Sequence, residues 1–326
     1  DRLPHLDGLR AVAALAVCLF HFDRGAFVGW EGLRALTSRG HLGVEVFFVL
    51  SGFVLPLALD RASFRLRAAG AFLGARWLRL YPAYAVAVVG ALGLWVVSSW
   101  RPGFGGESPH LSWWSGLGHA FLLCDVLGEP WVVPVFWTLA IEAQFYGLLA
   151  VSFPAFIARR LAVRLAIAGL WCAAPWFVGL GPTVLSWTGL FLLGVTGFLW
   201  RSGRLSPGVA ALVGLAALVT QAWIHGYMSA VAGALALAVV LGPTRGTPGV
   251  LTRIGVLSYS LYLVHVPVGG RVINAAGHLT DHPVARLAAI VVALAASLAV
   301  AALLHRWVEA PCHRWARRRW RRVTEA

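Results

Sequence analysis

The sequence predicts an all-α bundle of about ten membrane-spanning helices, and three observations carry that expectation. First, the 326 residues are 59% hydrophobic and only 12% charged, with a mean hydropathy of +0.76. A soluble domain carries roughly twice that charged fraction. Second, apolar runs recur along the whole chain, and a bilayer crossing needs roughly 20 such residues. Third, all 27 basic residues are Arg, gathered between the apolar runs, as the positive-inside rule requires. Little chain is left for a soluble unit, so residues 1–326 are read as a single integral membrane domain.

The runs fall at 8–26, 42–60, 80–99, 133–157, 162–179, 184–200, 207–223, 227–242, 254–270 and 285–307. A weaker run near 112–127, with Trp113 and Trp114, reads as a re-entrant or interfacial piece. With the N-terminus inside, only Arg24, Arg34, Arg39, Arg101, Arg271 and Arg286 fall outside. Arg2, Arg245 and the rest of the Arg fall inside, densest in the closing HRWVEAPCHRWARRRWRR. Both termini are therefore expected in the cytoplasm, and the location is a cell membrane, the bacterial cytoplasmic membrane first. The formal net charge of +14 follows this loop pattern, which points to membrane lipid as partner and not to nucleic acid. The first run begins within ten residues of Asp1 with no small-residue cleavage pattern after it, so a retained helix is expected. Cys18, Cys124, Cys172 and Cys312 have no metal spacing, and no metal is expected. The outside segment 100–132, with Gly103, Gly105, Gly106, Glu107, Asp125 and Glu129, either covers a site or is a solvated linker. No inverted repeat of the transporter kind is found, and a homo-oligomer is left open.

Ionisable groups inside spans are costly, so each marks a functional candidate. In LRAVAALAVCLFHF, Arg10 and His21 are eleven steps apart, close to three helical turns, with the imidazole roughly 16 Å deeper on the same face. His21 is either a helix-packing hydrogen-bonder or a site residue. In HLGVEVFFVLSGFVL, Glu45 lies one turn from His41. It either orients an imidazole, as carboxylates do beside catalytic histidines, or reaches for interfacial water. Ser51 and Gly52 allow close helix packing. Arg76 and Arg79 in ARWLRLYPAY can clamp phosphates or serve topology alone. Glu142, in FWTLAIEAQFY, falls near the bilayer centre and needs a partner, with Arg10 and His21 as candidates; a structural ion pair is the alternative. In GVLSYSLYLVHVP, Ser258, Tyr259, Ser260, Tyr262 and His265 form a polar stripe that either lines a site or joins helices.

These strings together resemble the acyltransferase 3 family of membrane proteins. The resemblance runs in register over nearly the whole chain: LDGLRA with Arg10 and His21, GVEVFFVLSGF, RWLRLYPAY, FWTLAIEAQFY, LSYSLYLVHVP and HRWVEAPCHR. It implies transfer of an acyl group, usually acetyl, from cytoplasmic acyl-coenzyme A to a hydroxyl facing the other side. Acceptors in the family are glycans of the cell surface or secreted small molecules. Carried over by position, His21 is the catalytic histidine, Glu142 an acidic site residue and Glu45 a supporting one. Arg10, Arg76 and Arg79 would hold the acyl-CoA donor. Tyr81, Ser258, Tyr259 and His265 would line the pocket or the acceptor. No permanently bound cofactor is expected, acetyl-CoA being a substrate. Glu45 stands where the family often has Asp, and Ala143 where it often has Glu. The fused extracytoplasmic domain of some relatives is absent from this sequence, so the expectation is that the chain completes transfer alone or hands over to a separate protein. Outside the enzyme class, a proton-coupled transporter would also bury His and Glu.

Overall fold

The computed structural model describes residues 4–23, 30–101, 108–109, 111–178, 181–243, 246–279 and 282–324. Arg2, Arg24, Arg245, Gly103, Gly105, Gly106 and Glu107 lie outside the described residues, as do the side chains of Arg321 and Arg322. Every regular element among the described residues is helical. In chain order these are α1 (Pro4–Phe22), α2 (Glu31–Thr37), α3 (Gly43–Arg61), α4 (Ala69–Ser99), α5 (Trp113–Phe121) and α6 (Cys124–Leu127). Then come α7 (Trp137–Phe156), α8 (Leu161–Val178), α9 (Thr188–Arg201), α10 (Pro207–His225) and α11 (Tyr227–Leu241). The chain closes with α12 (Gly249–Val264), α13 (Gly270–Leu279), α14 (Pro283–Leu304) and α15 (Ala310–Thr324). Two π-helical turns, His265–Gly269 and His305–Glu309, continue α12 and α14.

Nine of these stretches are long and apolar enough to cross a membrane, and α11, with 15 residues, is a tenth apolar helix too short to qualify. All ten sit on the runs expected from the sequence, so the protein is a multi-pass helical membrane protein. The weak run at 112–127 forms α5 and α6, with Trp113 88% and Trp114 61% exposed, the placement that suits amphipathic rings at a lipid headgroup layer.

Helix α9 is the hub, buried from Thr188 to Leu199. It touches α3 backbone to backbone because both carry glycine at the crossing. A Cβ on Gly52 would strike the Phe191 carbonyl, and one on Gly194 the Val49 carbonyl. Without a hydrophobic drive between helices in lipid, such close van der Waals contact is what holds them together. Two hydrophobic cores result. One joins α3, α7, α8, α9, α10 and α11 around Phe145, Phe191 and Trp171. The other joins α1, α4, α12 and α14 around Phe22, Tyr84 and Leu261. Charged groups tie the helix ends. Both guanidinium nitrogens of Arg204 reach Asp60, at 2.7 and 3.2 Å, Arg201 donates to the Leu241 carbonyl at 3.1 Å, and Arg164 donates to the Arg204 carbonyl.

The α5–α6 segment is fastened to α4 through His119. Its Nε2 accepts the Val132 N–H at 3.3 Å, which leaves Nδ1 to donate to the Tyr84 hydroxyl at 2.7 Å. Burial holds the His119 imidazole below its ordinary range. The nearby Cys124 thiol is pushed up to about 12 by its own burial and so offers no negative charge to a protonated ring.

Gly194→Leu is expected to separate α3 from α9 and cost about 1–3 kcal/mol by overpacking. Gly169→Leu on α8, with open space around it, is the control. Thermal unfolding in detergent reads the difference, and equal midpoints would contradict the backbone contact. A second expectation concerns His119. An unfolded imidazole titrates near 6.5, above the folded one, so the anchor's contribution is full above that pH and lost as pH falls below it. Hydrogen exchange across 113–132 should accelerate between pH 7.5 and 5, after correction for intrinsic rates. His119→Gln should remove that pH dependence.

Candidate active site

A cavity of about 710 Å³ opens between the two cores, walled by α1, α3, α4, α7, α12 and α15. Its volume lies in the range of small-molecule sites. Arg10, Arg61, Arg79, Arg314 and Arg317 line it, drawn from four different helices. Glu142 and Thr138 of α7 and Ser258, Tyr259 and Tyr262 of α12 line it further along. The helices meet here because Gly255 of α12 lies against the Asp7 carbonyl of α1, where any Cβ would clash. That contact sets the Arg10 side of α1 beside the polar stripe of α12.

The partner of Glu142 is Tyr146, one turn on, whose hydroxyl donates to its carboxylate at 2.6 Å. Arg10 and Arg76 lie within electrostatic reach of Glu142, and Arg10 also pairs loosely with Asp7 at 3.8 Å. The expected Arg10 thus contributes by field, while the hydrogen bond comes from a tyrosine. Arg76 stacks on the rings of Phe72 and Tyr146, at 5.3 and 5.8 Å, and is not among the cavity-lining residues. Of the expected Arg pair, Arg79 faces the cavity and Arg76 backs the Tyr146 that holds Glu142.

Ser258 and Tyr259 line the cavity, and the Tyr259 hydroxyl donates to the Leu80 carbonyl at 2.7 Å, tying α12 to α4. Tyr81 does not line it. It stacks on Trp77 at 4.7 Å with rings 13° apart, because position 81 falls on another face of α4 than Arg79. Tyr262 forms the inner wall. It accepts from Thr138 at 2.7 Å and donates to the Val135 carbonyl at 2.8 Å. Beyond it come His265, 5.5 Å from Tyr262 between ring centres, and then His21, 5.2 Å from His265. Neither histidine is among the cavity-lining residues; they lie behind the Tyr262 wall.

Glu45 is a correction. It is buried, and its carboxylate accepts the Ser229 hydroxyl at 3.2 Å, which in turn accepts from Gln221 at 2.9 Å. It therefore faces α10 and α11 and not the cavity. His41 bonds the Ser38 carbonyl at 3.0 Å, and its ring stays within electrostatic reach of the Glu45 carboxylate. Gly40–Leu42 is a 3₁₀ turn and α3 starts only at Gly43, so the two residues do not share one continuous α-helix.

The cavity also holds groups to which no role was assigned from the sequence. His305 Nδ1 donates to Glu309 at 2.9 Å, and Ser260 donates to the same carboxylate oxygen at 2.7 Å. His305 and Glu309 line the cavity together with His313. Their i, i+4 spacing in HRWVEAPCHR was a usable signal. Arg314 and Arg317, counted only toward topology, are cavity wall. Among the described residues no cluster of metal-ligating side chains occurs.

A family model described as an acyltransferase domain matches residues 3–306. Acyltransferase MdmB of Streptomyces mycarofaciens is 35% identical over 185 residues, covering 53% of this chain and 43% of that protein. Peptidoglycan O-acetyltransferase OatA of Listeria monocytogenes is 26% identical over 323 residues, covering 82% and 49%. The putative peptidoglycan O-acetyltransferase YrhL of Bacillus subtilis is 30% identical over 167 residues, covering 44% and 22%. The chain thus spans less than half the length of each of these relatives. No solved structure matches it. With the matched region reaching across nearly all of the spans, the chain belongs to the acyltransferase 3 family that its motifs resemble.

Proposed function

We propose that this protein is a membrane O-acyltransferase that moves an acyl group, acetyl in the first instance, from cytoplasmic acyl-CoA to a hydroxyl of an extracytoplasmic or lipid-linked glycan. The observation that carries the reading is the cavity itself, with Arg10, Arg61, Arg79, Arg314 and Arg317 on one ligand space. Coenzyme A is polyanionic at its nucleotide end, and guanidinium forks bind phosphate oxygens with charge-assisted, paired hydrogen bonds. The arginines belong to segments that charge topology puts on the cytoplasmic side, so the nucleotide enters there. The pantetheine arm then runs past Glu142 and Tyr259 to Tyr262, and reaching His21, roughly 16 Å from Arg10 along α1, requires the Tyr262 side chain to move aside.

His21 acts as general base. It takes the proton of the acceptor hydroxyl as that oxygen attacks the thioester carbonyl. The C–O bond forms, the C–S bond breaks, and the CoA thiolate leaves with the proton returned by the imidazolium. Glu142, held by Tyr146 and within electrostatic reach of Arg10 and Arg76, offsets the mutual repulsion of the guanidinium groups gathered there. Glu45 supports the α3–α11 packing. The bacterial cytoplasmic membrane suits the relatives named as peptidoglycan O-acetyltransferases. A secreted glycosylated small molecule such as a macrolide is the second acceptor reading; the Streptomyces relative at 35% identity is named as an acyltransferase without a stated acceptor.

Purified protein in nanodiscs, given radiolabelled acetyl-CoA, should hydrolyse or transfer the label, and His21→Ala should lower that rate at least about 100-fold, the scale of general-base catalysis. Arg79→Ala should raise the donor KM about tenfold, the loss of one charge-assisted contact, and leave the acceptor KM alone. Arg76→Ala should move the donor KM less, because its guanidinium rests on aromatic rings. An unchanged donor KM in both Arg79→Ala and Arg10→Ala would assign these residues to topology. Proton-coupled flux without CoA dependence would replace the enzyme with a transporter.

A further inference from the structure

His265 is completely buried and sits at the start of a π-helical turn, a local geometry often found at functional sites. Its Nδ1 lies 2.7 Å from the Tyr262 carbonyl, with the Leu261 carbonyl at 3.3 Å. A carbonyl only accepts, so Nδ1 carries the proton. In a neutral imidazole the other nitrogen then has a bare lone pair. That atom, Nε2, is buried and has no hydrogen-bond partner in the resting arrangement. An orphaned acceptor in the apolar middle of a bundle is costly, and in a native structure it calls for an explanation.

Only a donor can satisfy Nε2. The rings against His265 are Phe22, Tyr262 and His21. Phe22 has nothing to donate. The Tyr262 hydroxyl already donates to the Val135 carbonyl. Among these rings, His21, with its ring centre 5.2 Å away, is the one that can donate. Two imidazoles joined by an N–H···N bond of about 2.9 Å have ring centres roughly 5 Å apart, which the observed spacing of the two rings matches.

We propose that His265 is the positioning residue for His21, accepting its N–H and thereby fixing its tautomer. The inference rests on the reading of His21 as the base. One backbone carbonyl orders both rings. Tyr262 O fixes the proton of His265 on Nδ1, and Nε2 of His265 fixes the proton of His21 on the nitrogen that faces it. The opposite nitrogen of His21 is then the lone pair that receives the acceptor's proton. When it does, the N–H toward His265 belongs to a cation and its hydrogen bond strengthens. A neutral imidazole thus does what a carboxylate does beside other catalytic histidines, without burying a second full charge. Tyr262 is itself clamped by Thr138 and Val135 of the cavity wall, so the substrate-facing wall and the base share one hydrogen-bonded series.

The test uses the full chain in nanodiscs with 15N-labelled histidine, the His21 signals being assigned by difference from His21→Gln. Wild-type protein should show one pyrrole-type and one pyridine-type nitrogen at His21, a single tautomer. His265→Phe should give averaged His21 signals and lower kcat about 10- to 100-fold, with the donor KM unchanged. His265→Gln, whose amide can both donate to Tyr262 O and accept from His21, should recover part of kcat and the single tautomer. Mixed tautomers at His21 in the wild type would overturn the inference, whether or not any variant folds. So would equal kcat losses in His265→Phe and His265→Gln with the His21 tautomer intact, the signature of packing alone. Full activity in His21→Gln would instead remove the general-base reading beneath it.

Discussion

Inside a bilayer no water completes a half-made hydrogen bond, so each polar side chain in the bundle must find its partner in the protein. That constraint organises the site. Glu142 has Tyr146, Glu309 has His305 and Ser260, Glu45 has Ser229 and through it Gln221, and His265 has the Tyr262 carbonyl. Each pairing joins two helices or stiffens one turn, so the groups that could do chemistry also fix the geometry around them. Among the described residues, His265 Nε2 is one of the few buried polar atoms left without a hydrogen-bond partner, with Trp171 Nε1, Thr196 Oγ1 and Ser297 Oγ among the others in the bundle.

The packing beneath these pairs is made by very small residues. Gly52 and Gly194 bring α3 against α9, and Gly255 brings α12 against the backbone of α1. The second contact matters more for function, since α1 carries Arg10 and His21 while α12 carries Tyr259, Tyr262 and His265. Between the two resulting cores a space remains, and the arginines that line it come from helices far apart in the chain. Arginine serves elsewhere as a tie between helix ends, as Arg204 on Asp60 illustrates, so charge count alone does not separate a ligand site from a strut.

Much of this was legible in the sequence because it depends on local pattern. Run length and hydropathy located the ten apolar helices, and a buried charge in an apolar run flagged His21, Glu142 and Arg10 before any neighbour was known. What pattern did not convey is which face of a helix meets which neighbour. Glu45 meets Ser229 of α11, a neighbour that run length and spacing do not identify. Arg76 and Arg79 look alike in sequence, yet one stacks on Phe72 and the other meets the cavity. Tyr81 falls to the Trp77 stack for the same reason. Arg314 and Arg317 read as tail charges because only tertiary packing folds α15 back onto α4 and the cavity. The His305–Glu309 pair sat in a recognised string, and its spacing would have suggested it.

The central claim is that one passage holds the donor's phosphates on arginines at the cytoplasmic end and its acyl carbon beside His21. A density map of the protein with a non-hydrolysable acetyl-CoA thioether in nanodiscs tests this directly. Phosphate density within hydrogen-bond distance of Arg10 and Arg79, with the acyl end reaching past Tyr262 to His21, is the expected result. Coenzyme bound elsewhere on the bundle, or an acyl end that stops short of His21 with that ring turned to lipid, would contradict it.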